Sequence, residues 1–188
     1  MKKLIVLLVV LLTLAGCNSK KDETIDIESK ITLNSSKADM SDYVYFSDTD
    51  HVYEIVSIKE SNRMYTEKGS GILYYGYSQC PYCNRIVSAL NDAGKETGVK
   101  IYYIDLYGED YADEDINNLF TNLDPILEKD SSGEAAFYVP EVVAIKDGEI
   151  INHHLSVVDS YEDVTKNLTD SQYKELKDIY VSMIKELK

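Results

Sequence analysis

The chain has 188 residues, 44% of them apolar, enough for one core and one domain with short appendages. Its formal net charge of −14, from 33 acidic against 19 basic residues, excludes the basic surface that a nucleic-acid partner requires. There are 16 tyrosines and no tryptophan, so tyrosine is the main aromatic of core and surface alike.

The chain opens with Lys2 and Lys3 and then the apolar run LIVLLVVLLTLA. That run has the length of a secretory h-region and falls short of the ~20 residues that cross a bilayer comfortably. It ends in Leu14-Ala15-Gly16-Cys17, which resembles a bacterial lipobox, where cleavage falls before the cysteine and its thiol takes a lipid. The simpler alternative is a plain signal peptide or anchor that happens to contain a cysteine. The lipobox resemblance implies that residues 1–16 are a signal peptide and that Cys17 is the lipidation site. The protein is then anchored to the cell membrane on its extracytoplasmic face, where disulfides form and persist. Losing Lys2 and Lys3 takes the charge from −14 to −16, so the lipid, and no basic patch, holds the protein to the membrane. Residues 17–41, polar and free of Pro and Gly, are expected to form a flexible tether behind the lipidated cysteine. Within them TIDIESKITL alternates in part and offers an edge strand as the alternative.

From residue 42 to 188 the patterning is that of a folded domain. YVYF (43–46) is a short strand candidate, and SDTD then offers N-caps for a helix over HVYEIVSIKESNRMY. GILYYGY (71–77) is a continuous apolar and aromatic run, the mark of a strand buried on both faces. It leads into SQCPYC and a helix on which Cys83, Ile86, Val87 and Leu90 share one face. VKIYYIDL (99–106) is a second buried strand. The stretch 105–115 carries six acidic residues, read as a solvated loop entering a helix, or else as an attractor of cationic polypeptides. DEDINNLFTNLDPILEK is a helix broken near Pro125. EVVAI (141–145) and EIINHH (149–154) flank Asp147-Gly148, a hairpin signal, and the tail from Thr169 is an amphipathic helix. The order β-α-β-α-β-α-β-β-α implies an α/β fold. Its sheet is mixed, with a parallel half and a C-terminal antiparallel hairpin, and helices lie on both faces.

With Cys17 spent on lipid, Cys80 and Cys83 are the remaining thiols. Cysteines at i and i+3 on a first helical turn are neighbours. Unpaired N–H groups at the helix start favour a thiolate on Cys80, the more N-terminal sulfur. Pro81 suits a first turn because its missing N–H has no partner there anyway. Cys83, one turn deeper, is the natural resolving thiol.

Cys80-Pro81-Tyr82-Cys83 and the later YVPEVVAIKDGEI together resemble the thioredoxin superfamily, over roughly residues 43–188. The resemblance implies a thioredoxin-like fold in which Pro140 is a cis proline facing the CxxC. The backbone of Val139 then pairs with a bound substrate strand, and Pro81 and Tyr82 form the active-site loop. Two departures narrow it. Thioredoxins proper carry a buried acidic residue six positions before the first cysteine, which helps move a proton from the resolving thiol; here that position is Tyr74. The Gly-Gly-x-Asp segment of glutaredoxins is absent, which argues against glutathione. With the lipobox, the pattern resembles membrane-anchored thioredoxin-like lipoproteins of Gram-positive type, including bacteriocin-transport accessory proteins.

The implied activity is extracytoplasmic thiol–disulfide exchange, forming, reducing or isomerising disulfides. Its substrates are exported proteins or peptides with cysteines, and a membrane redox partner recycles the pair. No cofactor and no metal are expected. Two other classes stand beside it. One is a non-catalytic thioredoxin-like binding module. The other is a copper-carrying lipoprotein using Cys80, Cys83 and a histidine, since zinc prefers four ligands. His153 and His154 read as surface residues at a strand end.

Overall fold

Every residue of the run GILYYG, Gly71–Gly76, is buried, because both faces of that strand are covered. Ile72 and Tyr74 enter one core and Leu73 and Tyr75 the other, as the two-residue period of a strand dictates. The structure, a computed structural model, describes residues 24–108 and 111–188. The expected signal peptide, Cys17 and the first residues of the expected tether lie outside the described residues.

In chain order the elements are β1 (Ser36–Lys37), β2 (Tyr53–Ile55), α1 (Ile58–Thr66), β3 (Gly71–Gly76), α2 (Cys83–Thr97) and β4 (Ile101–Asp105). Then come α3 (Asp113–Leu123) with a 3-10 turn at Asp124–Ile126, β5 (Glu128–Lys129), β6 (Ala135–Ala136), β7 (Glu141–Lys146), β8 (Glu149–Leu155) and α4 (Asp170–Lys185). The main sheet runs β1-β2-β4-β3-β7-β8, and β5 and β6 form a separate small hairpin. Pairings β2/β4 and β4/β3 are parallel; β1/β2, β3/β7 and β7/β8 are antiparallel. Helices α2 and α4 cover one face, through Ile86, Leu90, Tyr180 and Ile184. Helices α1 and α3 cover the other, through Ile58, Met64, Leu119 and Leu123. This is the α/β arrangement expected, with a parallel half, a terminal antiparallel hairpin and helices on both faces. Asp147 and Gly148 turn the hairpin at φ 52 and 87, the left-handed pair that a two-residue turn needs.

Three expectations are corrected. Residues 43–46 are not a strand. Tyr43 N–H donates to Met40 O and Phe46 N–H to Tyr43 O, so tight turns aim both rings into the core. The first parallel strand lies ten residues later, at Tyr53–Ile55, inside the stretch expected to be helical. There Tyr53 and Ile55 pair with Ile101 and Tyr103, and the helix waits for Ser57, whose hydroxyl accepts the Glu60 N–H at 3.2 Å. The third correction concerns the tether. Residues 24–41 are packed on the domain, with Ile25, Leu33, Ala38 and Met40 each 5% exposed or less. Ile25 N–H donates to Thr97 O, and Ser36 pairs with Ile55. The apolar residues of this segment are too sparse for a period but are placed singly over gaps in the core.

Candidate active site

Two loops meet because β3 and β7 are antiparallel with Tyr75 opposite Glu141. The chain leaving β3 at Gly76 therefore emerges beside the chain entering β7 at Glu141. The first loop carries Cys80, Pro81, Tyr82 and Cys83; the second carries Val139 and Pro140. The Val139–Pro140 peptide is cis. Cys80 Sγ lies 3.9 Å from the Val139 carbonyl oxygen. The structure thus brings together the six candidate residues of the CxxC and proline loops. Cys17 lies outside the described residues.

Helix α2 begins at Cys83, with Tyr82 as its capping residue, so Cys80 sits in the preceding turn and not on the first helical turn. Pro81 cannot donate, and the Asn84 N–H reaches back to Cys80 O at 3.1 Å. The electrostatic expectation survives this shift: the Cys83 N–H, one of the unpaired donors of the helix start, points at Cys80 Sγ at 3.3 Å. Both cysteines are thiols, 6% and 0% exposed.

Their environments push them apart. A hydrogen bond from Cys83 favours the Cys80 thiolate, and the backbone N–H groups of Cys83 and Tyr82 add to it against burial, bringing Cys80 down to about 6. Burial pushes Cys83 far up, and the hydrogen bond to Cys80 adds to the rise. One sulfur is thus an anion near neutral pH and the other holds its proton.

Asn84 fastens the loop. Its side-chain amide donates to Ser78 O and, at 3.0 Å, to Cys80 O, while its oxygen accepts the Val44 N–H at 2.8 Å. Arg85 ties α2 to the segment before α4, with Nε 2.8 Å from Tyr161 Oη and Nη2 3.0 Å from Val164 O, and its guanidinium lies over the Tyr45 ring at 4.2 Å. Sequence reasoning missed both residues. The available signal was a weak one, a polar Asn84-Arg85 pair immediately after the motif on the side of the helix that also carries Ser88, Asn91 and Asp92.

Aromatic surface rings the mouth. Tyr82 faces Tyr161 edge-on, and the exposed Tyr107 stacks on Tyr77 at 5.5 Å. The two β8 histidines pack away from the cysteines: His153 Nδ1 is 3.1 Å from Glu141 Oε1, and His154 stands edge-on to Tyr180. Among the described residues no three of His, Cys, Asp and Glu are grouped so as to hold a metal ion.

Residues 1–18 match the family model described as prokaryotic membrane lipoprotein lipid attachment site. No curated protein matches the chain. Among solved structures it is similar to thioredoxin from Aeropyrum pernix, at 18% identity over 71% of this chain and 85% of that one, with a TM-score of 0.43. It is also similar to thioredoxin O2 from Arabidopsis thaliana in its oxidized state, at 14% identity over 71% of this chain and 99% of that one, with a TM-score of 0.42.

Proposed function

We propose that the protein is a lipid-anchored, extracytoplasmic thiol–disulfide oxidoreductase acting on exported proteins or peptides. The observation that carries this reading is the meeting of a lowered Cys80 thiol with the Val139 carbonyl, 3.9 Å away at the cis Val139–Pro140 peptide. Cys80 is the nucleophile and Cys83 the resolving thiol. The Val139 backbone offers a bound strand its pairing groups, and the exposed ring of Tyr82 offers apolar surface. The lipid attachment match at residues 1–18 supports Cys17 as the lipidated residue and the outer membrane face as the location.

In the reducing direction the Cys80 thiolate attacks a substrate disulfide and expels one substrate thiolate. Cys83 then attacks Cys80 Sγ, closes the Cys80–Cys83 bond and expels the second. The oxidising direction is the same path reversed. Lowering a thiol from ~8.5 to ~6 raises its thiolate fraction at pH 7 from ~3% to ~90%, about 30-fold. A Brønsted slope near 0.45 takes back about 13-fold in intrinsic nucleophilicity, leaving roughly a 2-fold gain. The same shift stabilises the reduced form by about 1.4 kcal/mol, or ~30 mV, against the ~150 mV that separates oxidants from reductants. The thiolate therefore supports exchange chemistry without fixing its direction.

A Cys83→Ser variant tests the reading. It is expected to accumulate mixed disulfides with exported cysteine-bearing proteins through Cys80, releasable by dithiothreitol. An empty trap would favour the binding-module reading. Tight 1:1 copper binding by the reduced protein, lost in both Cys→Ser variants, would favour the carrier reading.

A further inference from the structure

Cys83 holds its proton in a sealed core, yet resolution requires it to lose that proton. Among the described residues, the titratable groups that face it are Cys80 and five phenols: Tyr43, Tyr74 of β3, Tyr77 of the loop before the motif, Tyr103 of β4 and Tyr180 of α4. Glu141 is the buried carboxylate among the described residues. It belongs to the opposite face of the sheet, acting there on Tyr65 and Tyr75 beside His153, although its field reaches Tyr180. Tyr180 Oη has no hydrogen-bond partner among the described residues, so it leads nowhere.

Tyr74 is different. Its hydroxyl is near enough to the Cys83 sulfur to favour the thiolate there against burial. It lies 3.1 Å from Tyr43 Oη, which in turn donates to Tyr103 Oη at 3.1 Å. The rings are locked: Tyr74 stacks on Tyr103 at 5.2 Å, and Tyr43 meets Tyr103 edge-on. Gly76 makes room for the first hydroxyl, since a Cβ there would stand 2.5 Å from Tyr74 Oη. At its far end Tyr103 lines an open cavity of about 570 Å³ together with Asp105, Tyr111 and Glu60.

We propose that Tyr74, Tyr43 and Tyr103 form a proton relay that carries the Cys83 proton from the buried thiol to solvent. The proposal rests on the redox reading above. Burial holds all three phenols well above their ordinary range, so none acts as a resting base. Each accepts a proton only as it passes one on. Since Tyr43 donates to Tyr103, Tyr74 donates to Tyr43; once Cys80 is held in the mixed disulfide, the Cys83 S–H no longer has the Cys80 thiolate to donate to and turns to Tyr74. Transfer moves the thiol proton to Tyr74, the Tyr74 proton to Tyr43, the Tyr43 proton to Tyr103 and the Tyr103 proton to water in the cavity. It leaves every hydroxyl turned the other way, with Tyr74 donating to the new Cys83 thiolate. That thiolate attacks Cys80 Sγ: the Cys80–Cys83 bond forms, the mixed disulfide breaks, and the substrate sulfur leaves with the electron pair. The dithiol is oxidised by two electrons and the substrate disulfide is reduced by two. Tyr74 touches a reacting atom; Tyr43 and Tyr103 act through it.

Reduced full chain mixed with Ellman's reagent releases one thionitrobenzoate when Cys80 attacks and a second when Cys83 resolves. That leaving thiolate needs no proton, so the second phase reports proton loss from Cys83. Tyr74→Phe, Tyr43→Phe and Tyr103→Phe each remove one hydroxyl and keep the ring. The expected result is an unchanged first phase in all three. The second phase is slowed about tenfold or more at pH 7, its pH profile is displaced upward, and its solvent isotope effect is altered. Wild-type second phases in Tyr43→Phe and Tyr103→Phe would overturn the relay even if Tyr74→Phe, which alone can disturb Cys83 packing, is slow. A wild-type protein that releases no thionitrobenzoate would overturn the redox reading, and the relay with it.

Discussion

A thiol that is 6% exposed is reactive only where its surroundings favour the anion, and for Cys80 the partners are specific. The Cys83 thiol and two backbone N–H groups supply that preference, so alkylation of Cys80 is expected to rise through pH about 6 while Cys83 stays inert. Rates of iodoacetamide labelling against pH, read peptide by peptide, check it. A second residue is legible through pH. Burial, aided by Glu128, raises the Glu141 carboxyl to about 8 from its ordinary 4.5. Below 4.5 both folded and unfolded chains carry the proton, and the stabilisation it represents is complete. Between 4.5 and 8 the unfolded chain releases the proton first, so stability falls as pH rises, and the loss is complete above 8. Glu141→Gln is expected to flatten that decline and to be more stable than wild type at pH 8.5 by about 1–3 kcal/mol, the usual scale for a poorly satisfied buried group. Urea midpoints at pH 5 and 8.5 measure it.

At the scale of elements, the loop before α2 is held by one side chain. Asn84→Ala leaves the Val44 N–H and the Ser78 carbonyl short of a partner, so a loss of about 2–3 kcal/mol is expected. Midpoints of urea unfolding, with Cys80 labelling run in parallel, show whether the loop loosens as the fold weakens. The segment 24–41 behaves as part of the domain. Removing it uncovers the pockets of Ile25, Leu33, Ala38 and Met40, at roughly 1.5–3 kcal/mol per large side chain. Against a domain stability of about 5–15 kcal/mol, a chain starting at residue 42 is expected to melt far below one starting at 24. The same contrast explains what the sequence revealed. β3, β4, β7 and β8 were legible because continuous apolar runs and an Asp-Gly turn leave one interpretation. The two loops of the site were legible because prolines and cysteines are rare and carry their own geometry. β2 was missed because Val52, Ile55 and Val56, at i, i+3 and i+4, also fit a helical stripe, and only the Ser57 cap divides strand from helix. The buried N-terminal segment was missed because isolated apolar residues show no period, and their burial is decided by a distant core. Tyr43 and Tyr103 read as ordinary aromatics, and Tyr74 only as a departure from an expected acid, because only the fold brings their hydroxyls together.

For the whole molecule, the position of the chain's entry matters. Thr24 packs against Gly98 and Ile25 bonds to Thr97, at the end of α2 remote from the CxxC. Fifteen residues of helix separate the two poles by about 22 Å. Seven residues from Cys17 to Thr24 span at most ~25 Å. On the proposed lipidation of Cys17, the anchor joins the domain at the end of α2 remote from the reactive sulfur, and loss of Lys2 and Lys3 would leave a net charge of −16, which disfavours contact with anionic headgroups. A fluorophore on Cys80 of vesicle-bound protein is expected to be quenched less by headgroup spin labels than one placed at residue 24. The most direct measurement of all is the reduction potential of the Cys80–Cys83 pair, from the fraction oxidised in defined thiol–disulfide buffers. A single two-electron transition between about −270 and −120 mV is the expected result. A bond that resists reduction below about −300 mV, or one that never forms, would mean the cysteines are structural or inert.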